Sequence, residues 1–305
     1  GSTQAAQRMG QSSKSMIRIV SKIKHWSRFL SSKWQTVHLD YPVVFRPRFQ
    51  PETDLGLPEI HSLLQSHWDE IEAKVDLIQS YEEDLVKIKK RSDESNALLP
   101  GWNNGYLPGL DMAALFTFVA HYQPKRYMEV GSGNSTLVAA AAKAQHSPLT
   151  EITSIDPYPR AEIDQLSQVI VRKPFEALEA DASLESLEAG DILFIDNSHR
   201  VLPNSDATVF FLEWMPRLAD GVIVHIHDIY LPWDYPQNMC DRAYSEQYML
   251  AMALVSNPKR YTPFFPAFWV SEQKALSDKL ASIWNHANTR GVEQHGGSFW
   301  IKING

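Results

Sequence analysis

The chain has 305 residues, 44% of them hydrophobic, a single cysteine (Cys240) and a formal net charge of −7. That apolar content suffices for a sizeable globular core, while one cysteine excludes an internal disulfide and any cysteine-built metal cluster. No stretch approaches the ~18 consecutive apolar residues of a membrane-spanning helix, and no charged-then-apolar leader opens the sequence, so a cytoplasmic location is expected.

Residues 1–15 are rich in Gln and Ser and are expected to be a disordered tail. Charge is uneven: residues 1–40 carry seven Lys and Arg against Asp40 alone, a local +6 that leaves −13 for the rest. An acidic body repels nucleic-acid phosphates, so no nucleic-acid partner is expected. Met16, Ile17, Val20, Ile23, Trp26, Phe29 and Leu30 recur at spacings of three and four among basic residues, which predicts an amphipathic helix over 16–34. Such a helix offers either a weak contact with an anionic membrane surface or a packing face on its own domain or a second copy. The packed or homo-oligomeric reading is preferred, because a basic helix is usually a solvated face over a core stripe. The proline-punctuated stretch 37–60 reads as an extended linker. A charged helix follows from about Pro58 to Arg91, with Ile60, Leu63, Leu64, Trp68, Ile71, Val75 and Ile78 on one stripe. These elements make an N-terminal helical extension, 16–98, ahead of a domain spanning 99–305.

"SDESNALLPGWNNGYLPGLD" (92–111) is a turn-rich loop whose "LPGWNNGYLPGLD" part (99–111) is a candidate lid, with Tyr106 and Asp111 as its most useful side chains, and "MAALFTFVAHY" is an apolar helix. Strand-like and helical segments then alternate. The strands are "RYMEV", "EITSID", "QVIVR", "DILFID" and "GVIVHIHD"; the helices between them are "NSTLVAAAAKAQ", "RAEIDQLS", "SLESLEAG" and "DATVFFLEWMPRL". This alternation predicts an α/β fold, a doubly wound and mostly parallel Rossmann-like sheet. Ligands of such sheets sit at the carboxyl ends of the strands, so polar residues there are site candidates.

The first strand runs into "EVGSGNST". Gly131 and Gly133 allow a sharp turn and close approach of backbone to ligand. Asp156 ends the next strand 23 residues after Gly133, the offset at which a carboxylate accepts hydrogen bonds from ribose hydroxyls. Thr136 replaces the third glycine of a dinucleotide fingerprint, Glu129 places a carboxylate before the turn, and no lysine follows it. These features disfavour pyrophosphate and triphosphate and suit an ammonium or sulfonium group.

The stretch "RYMEVGSGNSTLVAAAA", with Asp156 closing the next strand, resembles the first two motifs of class I S-adenosylmethionine-dependent methyltransferases. The resemblance implies that Glu129, Gly131 and Gly133, with Ser132, Ser135 and Tyr106 beside them, hold the methionine part of the cofactor and that Asp156 holds its ribose. "DILFIDNSH" and "GVIVHIHD" resemble the "IDGDH…HD" pattern of a small-molecule and sugar O-methyltransferase subgroup, with Ser198 standing where the pattern has its second aspartate. On that pattern His199 is the expected general base and Asp196 its partner. Asp196 and Asp228, with His227 as a further candidate, would hold Mg²⁺ or another divalent ion. His227, Trp233, Asp234 and Tyr235 are the substrate candidates, although packing accounts for the aromatic residues equally well. His225 reads as a satisfied core histidine. "GGSFWIKI" matches the antiparallel end strand of this class, so the resemblance covers about 100–305. The expected activity is O-methylation of a small molecule or sugar hydroxyl. N-methylation, an NAD(P)-dependent oxidoreductase on the same architecture, and a partner-recruiting scaffold with a vestigial pocket are the rivals.

Overall fold

The apolar runs at the strand positions above pair edge to edge because each is hydrophobic on both faces and finds cover only inside a sheet flanked by helices. In the computed structural model, which describes residues 26, 29–31, 35–159, 163–178 and 183–305, they form β1 (Arg126–Val130), β2 (Glu151–Ile155), β3 (Val169–Val171), β4 (Ile192–Ile195) and β5 (Ile223–His227). Two further strands, β6 (Tyr261–Pro266) and β7 (Ser298–Ile303), complete a seven-stranded sheet of order β3-β2-β1-β4-β5-β7-β6. Strands β1 to β5 are parallel, and β7 runs antiparallel to both β5 and β6. The expected α/β fold with an antiparallel end strand is therefore present. β6, which carries Pro263 and Pro266, escaped the sequence reading because prolines inside a short run argue against a strand.

The chain winds outward from β1 through β2 to β3, then returns to lay β4 on the other side of β1. This makes the β1/β4 boundary the switch point, where a crevice opens. Val130 pairs with both Ile155 and Ile195, and Ile195 pairs with Ile226, so Gly131, Asp156, Asp196 and His227 follow one row of strand ends, with Asp228 one residue beyond.

Residues 45–305 form one compact unit and residues 1–44 another. In the second unit the charged helix expected over 58–91 is broken into α1 (Pro58–Ser66), α2 (Trp68–Ser80) and a turn at Glu82–Leu85. The breaks fall at His67 and Tyr81, whose ψ angles of 17° and 15° leave the helical range. Ile60, Leu64, Ile71, Val75 and Ile78 of the predicted stripe are buried and join the same core as the sheet, so no separate core begins near residue 99. The apolar helix is α3 (Gly109–Tyr122), and "NSTLVAAAAKAQ" forms α4 (Asn134–His146). Three predicted helices are shorter. Asp164–Leu166 and Ser183–Ser186 are single 3₁₀ turns, and Asp206–Val209 widens into a π-helical turn at Phe210–Trp214 before Pro216 ends it. The predicted tail 1–15 and most of the basic helix 16–34 lie outside the described residues; Trp26 and Phe29 are helical, with ring centroids 6.4 Å apart.

His225 is buried between Trp300, stacked at 4.0 Å, and the edge of Phe194 at 4.6 Å. Neither ring nitrogen has a hydrogen-bond partner among the described residues, so the expected satisfied histidine is instead held by ring contacts alone. Burial pushes its pKa well below the ordinary imidazole value, which keeps it neutral.

Candidate active site

Gly131 has φ +80°, and a Cβ there would lie 2.2 Å from the carbonyl oxygen of Asp196. Glycine is required both by the left-handed backbone and by the contact between the β1 and β4 ends. Gly133 is different, because a Cβ there would meet nothing within 4 Å. Its open side faces a cavity of about 90 Å³, lined also by Tyr106, Asn134, Ser135, Phe194 and His227.

Beneath the turn lies Glu129, fully buried at the end of β1. Its carboxylate accepts hydrogen bonds from Ser135 (2.8 Å), Tyr127 (3.3 Å) and Thr136. Thr136 Oγ1 in turn accepts the N–H of Gly133 at 3.0 Å. The residue that displaces the third glycine of the dinucleotide fingerprint thus links the turn to the buried acid. Burial raises the Glu129 pKa to about 8, against the opposing effect of the three hydroxyls. Glu129 was expected to line the cofactor's methionine part. The structure instead gives the lining to Ser132, Gly133, Asn134 and Ser135, with Glu129 holding that lining from below.

Asp156 closes β2 and faces a second cavity of about 400 Å³, bordered by Ile155, Tyr158, Pro174, Phe175 and Glu176. One carboxylate oxygen accepts the N–H of Ser132 at 2.9 Å and the other the N–H of Tyr158 at 2.8 Å. Ser132 Oγ also donates to Asp156, at 3.3 Å, so of a carboxylate's about four acceptor positions about one remains for a hydroxyl donor. The two cavities share Ser132 and Asp196 as a common wall. A small slot joined to a wider chamber across a strand-end carboxylate fits an amino acid linked to a nucleoside. The donor set therefore fits S-adenosylmethionine.

The lid candidates divide. Tyr106 is 55% exposed at the small cavity, and its carbonyl accepts a hydrogen bond from His227 Nε2 at 3.1 Å. Asp111 is fully buried and accepts from the Gly297 N–H (2.8 Å) and Ser298 Oγ (2.6 Å), pinning the start of α3 to the start of β7. Asp111 is thus a structural tie and not part of a lid.

Across the shared wall, the ends of β4 and β5 bring Asp196, His199, His227 and Asp228 together. His199 Nε2 lies 3.3 Å from Asp196 Oδ1 and 3.4 Å from Asp228 Oδ2, and His227 Nε2 lies 3.6 Å from the other oxygen of Asp228. His199 Nδ1 is hydrogen-bonded to Glu246, which is buried at the start of α5 (Glu246–Ser256). His199 (φ 62°) and Asp228 (φ 53°) both adopt left-handed backbone, unusual for residues with a Cβ and of a kind that collects at functional sites. Burial alone would lower the His199 pKa, but Glu246, Asp196 and Asp228 outweigh it and raise the value well above that of free imidazole. His199 therefore holds both ring protons at neutral pH. The expected base is in place but already protonated, and of the two aspartates beside it Asp196 lines both cavities and Asp228 neither.

The expected metal site does not fit this donor set. The Nε2 of His199 stands between Asp196 and Asp228 as a hydrogen-bond donor, and among the described residues no three His, Cys, Asp or Glu side chains are arranged to hold an ion. Ser198 turns elsewhere, its N–H and hydroxyl bonded to Asp206 at 2.7 and 2.5 Å.

Of the substrate candidates, only His227 lines either of these two cavities. Trp233 is buried and donates to the carbonyl of Asp54 (2.9 Å). Asp234 accepts the N–H groups of Arg48 (2.7 Å) and Phe49 (3.0 Å), and Tyr235 is fully buried with its hydroxyl accepting from the Gln247 N–H (3.1 Å). These three residues fasten the 45–57 segment and the 229–247 loop together, and none of them lines either of the two cavities. Sequence reasoning missed Asn134, at the first position of α4, and Glu246. The latter's only signal was an acidic residue opening an otherwise apolar helix, a pattern common on protein surfaces.

A family model described as a methyltransferase domain matches residues 128–229, about a third of the chain. An uncharacterised protein of Archaeoglobus fulgidus is 45% identical over 58 residues, which cover 19% of this chain and 26% of that relative. The chain thus spans about a quarter of that relative's length. Among solved structures, the SAH-bound methyltransferase PaMTH1 of Podospora anserina is 16% identical, with TM-score 0.41 over 75% of this chain and 88% of the other. Coclaurine N-methyltransferase, bound to N-methylheliamine and SAH, is 12% identical with TM-score 0.32 over 80% and 93%. These distant structural likenesses carry no weight beside the family match, the strand order and the strand-end geometry. Residues 128–229 therefore match a methyltransferase domain, and the strand order and strand-end geometry around them accord with that match.

Proposed function

We propose that the protein transfers the methyl group of S-adenosylmethionine to a hydroxyl oxygen of a small molecule or sugar seated against Asp196, His199 and Asp228. The observation that carries this reading is the common wall of the two cavities. Ser132 and Asp196 border both, so a cofactor lying across them brings its centre to the carboxylate–imidazole cluster. When bound, the cofactor supplies an electrophilic methyl on a positively charged sulfur. The chain's own residues do the rest. Asp156 orients the nucleoside end, the 131–135 turn surrounds the amino-acid end, and His199 holds the two aspartates as a paired acceptor. As the acceptor oxygen attacks, the carbon–sulfur bond breaks with its electron pair going to sulfur, and the hydroxyl proton passes to Asp196 or Asp228. Positioning in line supplies most of the rate gain, with proton removal assisting. An amine acceptor is the second reading, supported by the two partly open carboxylates, 33% and 19% exposed at the side chain, which suit an N–H donor equally well.

Titration calorimetry with S-adenosylhomocysteine and with NAD(P)H tests the cofactor assignment. Binding of the first and not the second is expected. Tight NAD(P)H binding without S-adenosylhomocysteine binding would sink it. An acceptor panel, read by release of S-adenosylhomocysteine, then separates hydroxyl from amine substrates.

A further inference from the structure

The segment Tyr244–Glu246 encloses His199 on three sides. The Tyr244 ring stacks on the imidazole with centroids 4.5 Å apart and planes 29° from parallel. The carbonyl of His199 accepts the N–H of Ser245 at 2.8 Å and, more weakly, that of Glu246 at 3.4 Å, so the histidine backbone caps the start of α5. Ser245 Oγ accepts the N–H of Val201 at 2.9 Å, which fixes the chain just beyond His199. The third side is Glu246 itself, buried, with Oε1 on His199 Nδ1 and no partner on Oε2 among the described residues.

We infer that Glu246 is a positioning residue: by holding Nδ1–H it fixes the His199 ring so that Nε2, and no other atom, meets Asp196 and Asp228 at the acceptor site. The Tyr244 stack restrains tilt of the ring, but a 180° flip about the Cβ–Cγ bond, which would put Cε1 where Nε2 lies, satisfies the same stack. Only a partner at Nδ1 decides which ring atom faces the cavity. A buried carboxylate also makes a stronger acceptor than a carbonyl or water would, since the surroundings screen it poorly. Glu246 touches neither cavity lining and acts through His199.

This inference rests on the proposed methyltransferase reading for its functional meaning, and two measurements separate them. The full-length protein is labelled with ¹⁵N-histidine and its imidazole N–H protons are recorded with and without S-adenosylhomocysteine. A far-downfield, slowly exchanging N–H is expected that His199→Ala abolishes and that Glu246→Gln moves upfield and exposes to exchange. Glu246→Asp is expected to restore it in part. Affinity for S-adenosylhomocysteine should stay within about twofold in all three variants, whereas loss of an orienting partner typically lowers activity by about 10–100-fold. A folded wild-type protein without that resonance, or one whose resonance is unchanged in Glu246→Gln, would overturn the positioning role. Because the wild-type spectrum alone can do so, instability of a variant does not protect the inference. Failure of the wild-type protein to bind S-adenosylhomocysteine would instead overturn the methyltransferase reading and leave the Glu246 contact standing.

Discussion

Glu129→Gln isolates the energetic cost of the buried acid under the cofactor turn. In the unfolded chain a glutamate titrates near 4.5, whereas in the fold Glu129 titrates at about 8. Between these values the native state binds more protons than the unfolded one, so stability is full below pH 4.5 and is lost as pH rises through 8. A shift of this size corresponds to about 5 kcal/mol in total, of which about 3–4 kcal/mol falls between pH 5 and pH 8. Glutamine keeps the shape and hydrogen-bonding capacity without the charge, so its contribution is flat over that range. Urea unfolding at pH 5, 6, 7 and 8 should show wild type losing stability relative to Glu129→Gln, with the two converging or crossing toward pH 8. Curves that stay parallel across the range would refute the claim that this carboxyl is held neutral by burial.

Glycine substitutions should separate folding from binding. Gly131→Ala drives a Cβ into the Asp196 carbonyl in a left-handed conformation and is expected to cost about 2–4 kcal/mol by urea unfolding. Gly133→Ala meets open space, so its stability should stay within about 1 kcal/mol of wild type while calorimetric affinity for S-adenosylhomocysteine drops at least about tenfold. Asp234→Ala removes the acceptor of the Arg48 and Phe49 N–H groups and should lower stability by about 1–3 kcal/mol with cofactor affinity unchanged. If Asp234 served the acceptor instead, turnover would fall without that loss of stability. Dialysis against EDTA should leave transfer activity intact, because His199 occupies the place between Asp196 and Asp228 where an ion would sit. Metal-dependent recovery of activity would contradict this.

The cofactor side of the site was readable in the sequence because its constraints are local. A glycine at 131, an acid at 156 and an unusual threonine at 136 lie within single strand-turn-helix units whose spacing is set by backbone geometry. The acceptor side was readable only in part. Asp196 and Asp228 directly follow strand ends and His199 lies four residues beyond β4, so they could be found as candidates, but the protonation of His199 depends on Glu246, 47 residues away on another element. Trp233, Asp234 and Tyr235 looked like recognition residues for a related reason: their partners, Asp54, Arg48, Phe49 and Gln247, are mostly distant in sequence. Periodicity located the stripe over 60–78 correctly but did not show the breaks at His67 and Tyr81, which leave the buried positions almost in phase.

The two halves of the site are attached to different parts of the chain. The turn 131–136 and Asp156 depend on β1, β2 and α4, whereas the setting of His199 depends on residues 244–246 and the long connection after β5. Asp196 borders both cavities and also lies against His199, 3.3 Å from its Nε2. The connection and the head of α5 therefore amount to an exchangeable module. Transplanting it between relatives is expected to alter the setting of His199 while leaving the turn at 131–136 and Asp156 as they are, provided Asp196 and the 45–57 segment that fastens the connection travel with it.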